Sequence, residues 1–315
     1  MMQFIKDGVV IPFMKIKVVV EILCLGLVIG SIVCMALKGL NWGLDFTGGI
    51  VVETEYTQNA DLNKVREAYA AEGIVGTTQH FGTPKDVVVR VAPEEGVDQQ
   101  EVTNKVMAAS KTLDPRVKLS RSEYVGPAVG EELVQSGILA IVVSLIAILA
   151  YIAFRFEWRM ATGAVISLAY DVIVVLGVFS FWQVEYDLTV LAAVLTVVGY
   201  SLNDKIVVFD RIRENATRLP RGIVMEQLFN ISLTQTLSRT IITSGTTLIT
   251  VISLLIFGGE MIFGFSLALF VGIVFGTITS IYVASTWALL LGIDRRQLVP
   301  RKVDKRDRDI IETMD

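Results

Sequence analysis

The sequence predicts an α-helical membrane protein of six transmembrane helices, with one ferredoxin-like α+β domain between the first and second. Three observations lead there. The 315-residue chain is 53% hydrophobic and its mean hydropathy is +0.60, well beyond a soluble domain of this length. Six segments reach or approach the ~20 apolar residues that cross a hydrocarbon core of about 30 Å. The one long polar stretch, residues 38–134, patterns as βαββαβ, the split βαβ order.

Residues 1–17 carry Lys6, Lys15 and Lys17 and precede the first span, 18–37. That span is too long for a signal-peptide core and lacks a small-x-small cleavage site, so it reads as an uncleaved signal anchor. Cys24 and Cys34 lie ten residues apart on it, a rise of about 15 Å, which is too far to bridge. Both are expected as small buried apolar residues.

In the inserted domain Gly49–Thr57 alternates as a strand, and Asp61–Glu72 reads as a helix capped by Asp61. Gly76–Phe81 and Val87–Ala92 are short strands joined by a Gly-Thr-Pro-Lys-Asp turn. Asp98–Thr112 is a second helix and Arg116–Tyr124 a last strand. No cofactor motif occurs, and Ser120 and Ser122 have no His–Asp partners nearby. His80 reads as an edge histidine or a pH-sensing contact. The domain is expected to bind or move, not to catalyse.

The remaining spans are 135–154, 160–182, 188–209, 240–257 and 261–291. Segment 210–239 is a loop leading to the fifth span, and 292–315 is a basic tail. Lys and Arg orient the chain. They flank the first span (Lys6, Lys15, Lys17), the second–third loop (Arg155, Arg159), the fourth span's end (Arg211, Arg213, Arg218, Arg221) and the tail (Arg295, Arg296, Arg301, Lys302, Lys305, Arg306, Arg308). Loops 183–187 and 258–260 hold neither, only Glu185, Asp187 and Glu260. Both termini are therefore expected in the cytoplasm, with the domain outside.

The chemistry sits in the membrane. The fourth span carries Asn203, Asp204 and Lys205, and a carboxylate at such depth costs at least about 2.5 kcal/mol on insertion scales. Lys205 is expected to snorkel to the cytoplasmic interface; Asp204 is too short to do so. The fifth span opens with Arg239, and Thr243, Thr246 and Thr250 follow at helical spacing, a polar stripe headed by a cation. Asp204 and Arg239 fall at similar depth on antiparallel spans and are expected to meet. The pair is either a proton relay or a structural salt bridge; Asn203, Thr243 and Thr247 are its supporting polar groups. Asp171, mid-way along the third span, either supports the relay or bonds a neighbouring helix. Span six repeats small residues at Gly264, Ala268, Gly272, Gly276, Ser280 and Ala284, a packing seam or sliding surface for another helix. With one histidine outside the membrane, a His-based metal site or triad in the bilayer is excluded. No enzyme activity, cofactor, metal or nucleic-acid partner is expected.

Several blocks carry a family resemblance. They are Gly43-Leu-Asp-Phe-Thr-Gly-Gly49, Val125-Gly-Pro-Ala-Val-Gly-Glu-Glu-Leu133, Val198-Gly-Tyr-Ser-Leu-Asn-Asp204, Asp210-Arg-Ile-Arg-Glu-Asn215 and Gln235-Thr-Leu-Ser-Arg-Thr-Ile-Ile-Thr-Ser-Gly-Thr-Thr247, with Gly258-Gly and the span-six glycines. In this order, nearly end to end, they resemble the SecD/SecF family of protein-export accessory proteins, on the SecF side. The resemblance implies half of a resistance–nodulation–division (RND) unit in a bacterial inner membrane, with a periplasmic domain after its first span. It implies SecD as partner, the SecYEG translocon, SecA and YajC as auxiliary partners, and an unfolded preprotein as substrate. It implies use of the proton-motive force to help that preprotein leave on the periplasmic side, with Asp204 and Arg239 tied to proton flow.

Two positions depart from the family pattern. Tyr170 stands where histidine is common, so a histidine role there is absent. Lys205 stands where a small hydroxyl residue is common; it lowers the Asp204 pKa, competes with Arg239, or marks coupling to another ion such as sodium. Three functions compete: an ion-coupled export motor, a scaffold for the translocon without ion coupling, and a small-molecule or lipid exporter half. The roughly 97-residue domain is small for the last.

Overall fold

A computed structural model describes residues 9–92, 98–220 and 222–298. Lys6, Arg221 and the tail cations from Arg301 to Arg308 lie outside the described residues. In chain order the elements are α1 (Lys17–Lys38), β1 (Asn41–Trp42), α2 (Leu44–Thr47), β2 (Gly49–Glu55), α3 (Leu62–Ala71), β3 (Gly76–Phe81), β4 (Thr83–Val91), α4 (Gln99–Leu113) and β5 (Lys118–Val125). Then come α5 (Pro127–Arg155), α6 (Trp158–Trp182), β6 (Glu185–Tyr186), α7 (Leu188–Arg218), α8 (Met225–Phe257), α9 (Phe263–Ile281), α10 (Val283–Leu290) and α11 (Arg295–Leu298).

The inserted domain is a four-stranded antiparallel sheet in the order β3-β4-β2-β5, with α3 and α4 on one face. This is the ferredoxin-like topology. Alternation decides the faces: Ile50 and Val52 of β2 and Val87 and Val89 of β4 point at the helices with Val65, Tyr69 and Val106, while Val51 and Val88 point the other way onto Leu44. Asp61 and Asp98 cap the two helices, each accepting from the amide two residues on, at 3.0 and 3.1 Å. The β3–β4 turn is tighter than the expected Gly-Thr-Pro-Lys-Asp loop. Phe81 pairs with Thr83 after a register shift at His80, and Gly82 takes the left-handed φ of 68° that such a turn needs.

Among the described residues six helices are long and apolar enough to cross a bilayer: α1, α5, α6, α7, α8 and the α9–α10 pair. Within the most apolar window, 56% of residues are buried in α6, α7 and α9–α10, against 11% in α1 and α5 and 17% in α8. The bundle therefore has a three-helix core with three helices at its rim. Helix ends overrun the apolar segments. α5 starts eight residues before 135, α7 runs nine past 209, and α8 starts fifteen before 240. Hydropathy marks the bilayer slab, and these helices continue beyond it on polar surface. The last span is interrupted at Tyr282, yet the Tyr282 amide still reaches the Ile278 carbonyl at 3.0 Å.

The domain is tied to the bundle by the segment after α1. β1 pairs in parallel with β6, Asn41 with Glu185 and Trp42 with Tyr186. Arg90 of β4 bonds the Asn41 side chain at 2.9 Å and the Trp42 carbonyl at 3.1 Å, and pairs with Glu185 at 2.6 Å. The Gly43-to-Gly49 block is the joint. The Gly43 amide bonds the Tyr186 carbonyl at 2.8 Å, and a Cβ on Gly43 would lie 3.0 Å from the Asp187 backbone. Asp45 accepts from the Leu188 amide at 3.0 Å, and Asp187 from the Val190 amide at 2.8 Å. Two carboxylates thus cap α7, one brought from the joint, where the helix dipole favours negative charge. Asp45→Ala is expected to loosen this end by about 1 kcal/mol, read as faster amide exchange at the start of α7 with the far end unchanged.

Candidate functional site

The site lies where α6, α7, α8 and α9 meet. Asp204 is 4% exposed, sixteen residues along α7 and so about 24 Å from the domain end of that helix. The charges acting on it are Lys205 first and Arg239 second, and its polar neighbour across the seam is Ser244 of α8. Among the described residues no ion pair within 4.0 Å joins Asp204 to Arg239 or to any other cation. Arg239 and Asn203 are both exposed. They line a cavity of about 840 Å³ at the far side from the sheet domain, with Asp210, Arg211, Gln235 and Thr236. Asp204 is therefore buried one residue along α7 from Asn203, which lines that polar cavity together with Arg239.

Lys205 does not snorkel. It is fully buried, and its ammonium lies 3.0 Å from Asp171 Oδ2 and against the Ser201 hydroxyl. The reason is helix direction. Each Cα–Cβ bond leans toward its helix N-terminus, and α7 runs from the domain side to the far side. The lean carries Lys205 back to Ser201, four residues earlier and deeper, instead of out to the near interface.

Asp171 of α6 is fully buried and saturated. Oδ2 takes Lys205 and, at 2.5 Å, the Ser201 hydroxyl; Oδ1 takes the Thr279 hydroxyl of α9 at 2.5 Å. One carboxylate thus joins three helices. The small residues of α9 make this approach possible. A Cβ on Gly264 would meet Val190 at 2.9 Å, on Gly272 would meet Val197 at 2.3 Å, and on Gly276 would meet Ser201 Oγ at 2.9 Å. Ala268, between them, is fully buried. Gly276→Val is expected to push Ser201 off Asp171 and destabilise the bundle by about 1–3 kcal/mol, seen as a lower melting temperature in detergent.

α8 presents a different face from the one its threonine spacing implies. Thr240 and Ser244 are buried toward the core, with Ser244 Oγ 2.9 Å from Thr277 of α9. Thr246 and Thr250 are exposed. Thr243 and Thr247 are half-buried and donate back to the Arg239 and Thr243 carbonyls at 3.0 and 2.9 Å; Thr247 also accepts from Tyr200 at 3.4 Å. The hydroxyls beside the carboxylates are thus Ser201, Ser244, Thr277 and Thr279. Ser201, one turn before Lys205, was the readable signal for them.

A third carboxylate lies within an apolar helix. Glu21 of α1 accepts from Trp287 at 2.9 Å and from Tyr170 at 3.4 Å. Among the described residues no cluster of three or more His, Cys, Asp or Glu has metal-holding geometry. At the far side α7 and α8 are stitched by Asn215 to Ser232 and to Gln235, both 2.8 Å, and Arg295 bonds the carbonyls at the end of α7.

Comparison with known proteins gives a consistent set of relatives. The family model described as "Protein export membrane protein SecD/SecF, C-terminal" matches residues 105–294, and the "SecD/SecF GG Motif" model matches 35–60. The chain is 49% identical over 314 residues to the protein translocase subunit SecF of Vibrio alginolyticus, covering 99% of each. It is 47% identical over 288 residues to that of Escherichia coli O157:H7, covering 90% of this chain and 88% of the other. Among solved structures it is similar to SecDF, a translocon-associated membrane protein from Thermus thermophilus, with TM-score 0.78, 35% identity and 90% of this chain covered. It also matches SecDF in a super-membrane-facing form, with TM-score 0.67, 33% identity and full coverage of this chain. It spans only 39% and 41% of those two chains.

Proposed function

Since the chain belongs to the SecD/SecF family of protein-export membrane proteins, we propose that it couples proton entry through the membrane to preprotein export, with Asp204 as the proton-carrying group. It acts in a bacterial cytoplasmic membrane beside a SecD partner, with both termini inside and the sheet domain in the periplasm. SecYEG, SecA and YajC are its auxiliary partners, and an unfolded preprotein is the substrate. It works as a transport component, not an enzyme.

One observation carries the reading: in the α6–α7–α9 core, Asp171 is held by Lys205, Ser201 and Thr279, whereas Asp204 has no ion pair within 4.0 Å among the described residues. A group that must gain and lose a proton needs a charged form that is tolerated but not locked. Asp171 serves structure; Asp204 is left to titrate, with Arg239 as the charge partner that comes and goes and Asn203, Thr243 and Thr247 as polar support. The vestibule by Asn203 and Arg239 is then the cytoplasmic exit.

The fold offers a transmission. Asp204 shares α7 with the end that Asp45 and Asp187 cap, and that joint continues into β2 of the domain. A shift at Asp204 moves one rigid helix whose other end holds the domain. The domain is latched on one side through Arg90 and stands over a cavity of about 610 Å³, which leaves room to tilt. One charge crossing 100 mV supplies about 2.3 kcal/mol, a shift of about 40-fold between two domain positions.

Inverted vesicles holding the translocon and the SecD partner test this, with and without the chain. A lumen-acid gradient is expected to speed export several-fold only when the chain is present. Equal stimulation without the chain rules out the coupling role, and chain-dependent export indifferent to the gradient leaves a scaffold.

A further inference from the structure

We propose that the Lys205 ammonium is a tethered cation filling an alkali-metal site, so that this chain excludes sodium from its transmembrane core and leaves the proton as the coupling ion. The inference deepens the reading of Asp204 above and rests on it for its functional meaning.

The surroundings of the ammonium are a cation's coordination shell. Asp171 Oδ2 lies at 3.0 Å, the Ser201 carbonyl at 3.5 Å, and the Ser201 hydroxyl in direct contact. Thr279 adds a hydroxyl on the other oxygen of Asp171. All the contacting atoms are oxygens, and they mix carboxylate, carbonyl and hydroxyl. That is the donor set of hard, weakly directional cations. Lysine offers a compact point charge with three donors and no acceptor, so it meets three oxygens as a small cation does. It arrives on a side chain that the lean of α7 already aims inward.

Charge balance makes the exclusion effective. The site is fully buried, and Lys205 and Asp171 cancel there. The charged groups acting on it are Asp171 from α6 and Asp204 from its own helix, with Arg239 of α8 lying beyond Asp204 on the exposed side. A sodium ion entering would have to share the Asp171 carboxylate with the ammonium already paired to it, and two cations packed together in a buried space are strongly disfavoured. A proton needs no such shell. It binds at Asp204 as a covalent O–H and leaves the oxygen cage undisturbed. Removing the ammonium reverses the case. Asp171 and the two Ser201 oxygens would then line a space of about a lysine side chain's volume with no cation inside, under the added negative charge of Asp204.

Lys205→Thr, purified as the full chain with its SecD partner, tests this by equilibrium binding of radioactive sodium and by thermal melting with sodium or choline chloride. The wild type and Lys205→Arg are expected to bind no displaceable sodium and to melt alike in both salts. Lys205→Thr is expected to bind sodium at least about tenfold more tightly than wild type and to melt higher in sodium, and Asp171→Asn added to it abolishes both effects. If Lys205→Thr is too unstable to purify in choline, sodium is expected to rescue it. Sodium binding by the wild type, or a Lys205→Thr protein indifferent to sodium in both assays, overturns the proposal. None of these readouts uses export, so they stand apart from the fate of the Asp204 reading.

Discussion

Asp204→Asn is expected to abolish gradient-driven stimulation of export while the chain stays folded and bound to its partner. Asparagine has nearly the same shape as aspartate but cannot exchange a proton at any accessible pH. Asp204 is 4% exposed and has no ion pair within 4.0 Å among the described residues. Its neutralisation therefore strands no directly paired counter-charge, and the stability change is expected to stay within about 1 kcal/mol. Function changes completely. Driven export falls to the rate without a gradient, because the roughly 40-fold bias available from one charge at 100 mV is lost. Asp204→Glu keeps the titrating group one methylene out of place and is expected to retain partial stimulation. Export from vesicles, normalised to the chain recovered with its partner, checks both. Undiminished stimulation in Asp204→Asn would remove Asp204 from the mechanism.

Asp171→Leu is expected to do the opposite, costing stability first. It leaves Lys205 fully buried without its carboxylate and the Thr279 hydroxyl without its acceptor. Breaking a buried pair by deleting one partner costs about 3–5 kcal/mol, whereas replacing both partners by apolar groups is often neutral. Asp171→Leu is therefore expected to melt much lower than wild type, and Asp171→Leu with Lys205→Met to recover most of the loss. Melting curves of the four proteins in one detergent give the coupling directly. An Asp171→Leu protein as stable as wild type would mean that the pair does not hold α6, α7 and α9 together. The two aspartates are distinguished by this contrast. One is expected to be dispensable for folding and required for work, and the other is required for folding.

Much of this was readable from local pattern. The βαββαβ order, the Asp61 cap and the β3 bounds follow from alternation and capping, which act within a few residues. The helix ends were not readable from hydropathy, because α5, α7 and α8 continue past the apolar slab on polar sequence. The buried place of Lys205 is not legible in the sequence, because snorkelling depends on helix direction. At the exit end of α7 the side chain leans inward, and only the fold shows Asp171 waiting there. The threonine stripe on α8 illustrates another limit: spacing defines a face but not its neighbour. Thr246 and Thr250 turned out exposed, while Thr240 and Ser244 face the core. The physical role of Gly43-Leu-Asp-Phe-Thr-Gly-Gly49 depends on a distant partner, because Asp45 caps α7, 143 residues later in the chain. Glu21, by contrast, was open to the same rule that singled out Asp204.

The protonation of Asp204 is most directly measured by infrared difference spectroscopy of the reconstituted complex across a pH jump, followed in the carboxylic acid C=O stretch. The expected result is a carboxylic acid band that grows on acidification in the wild type and is missing from Asp204→Asn. An unchanged band in Asp204→Asn, or none in the wild type, would contradict Asp204 as the proton carrier.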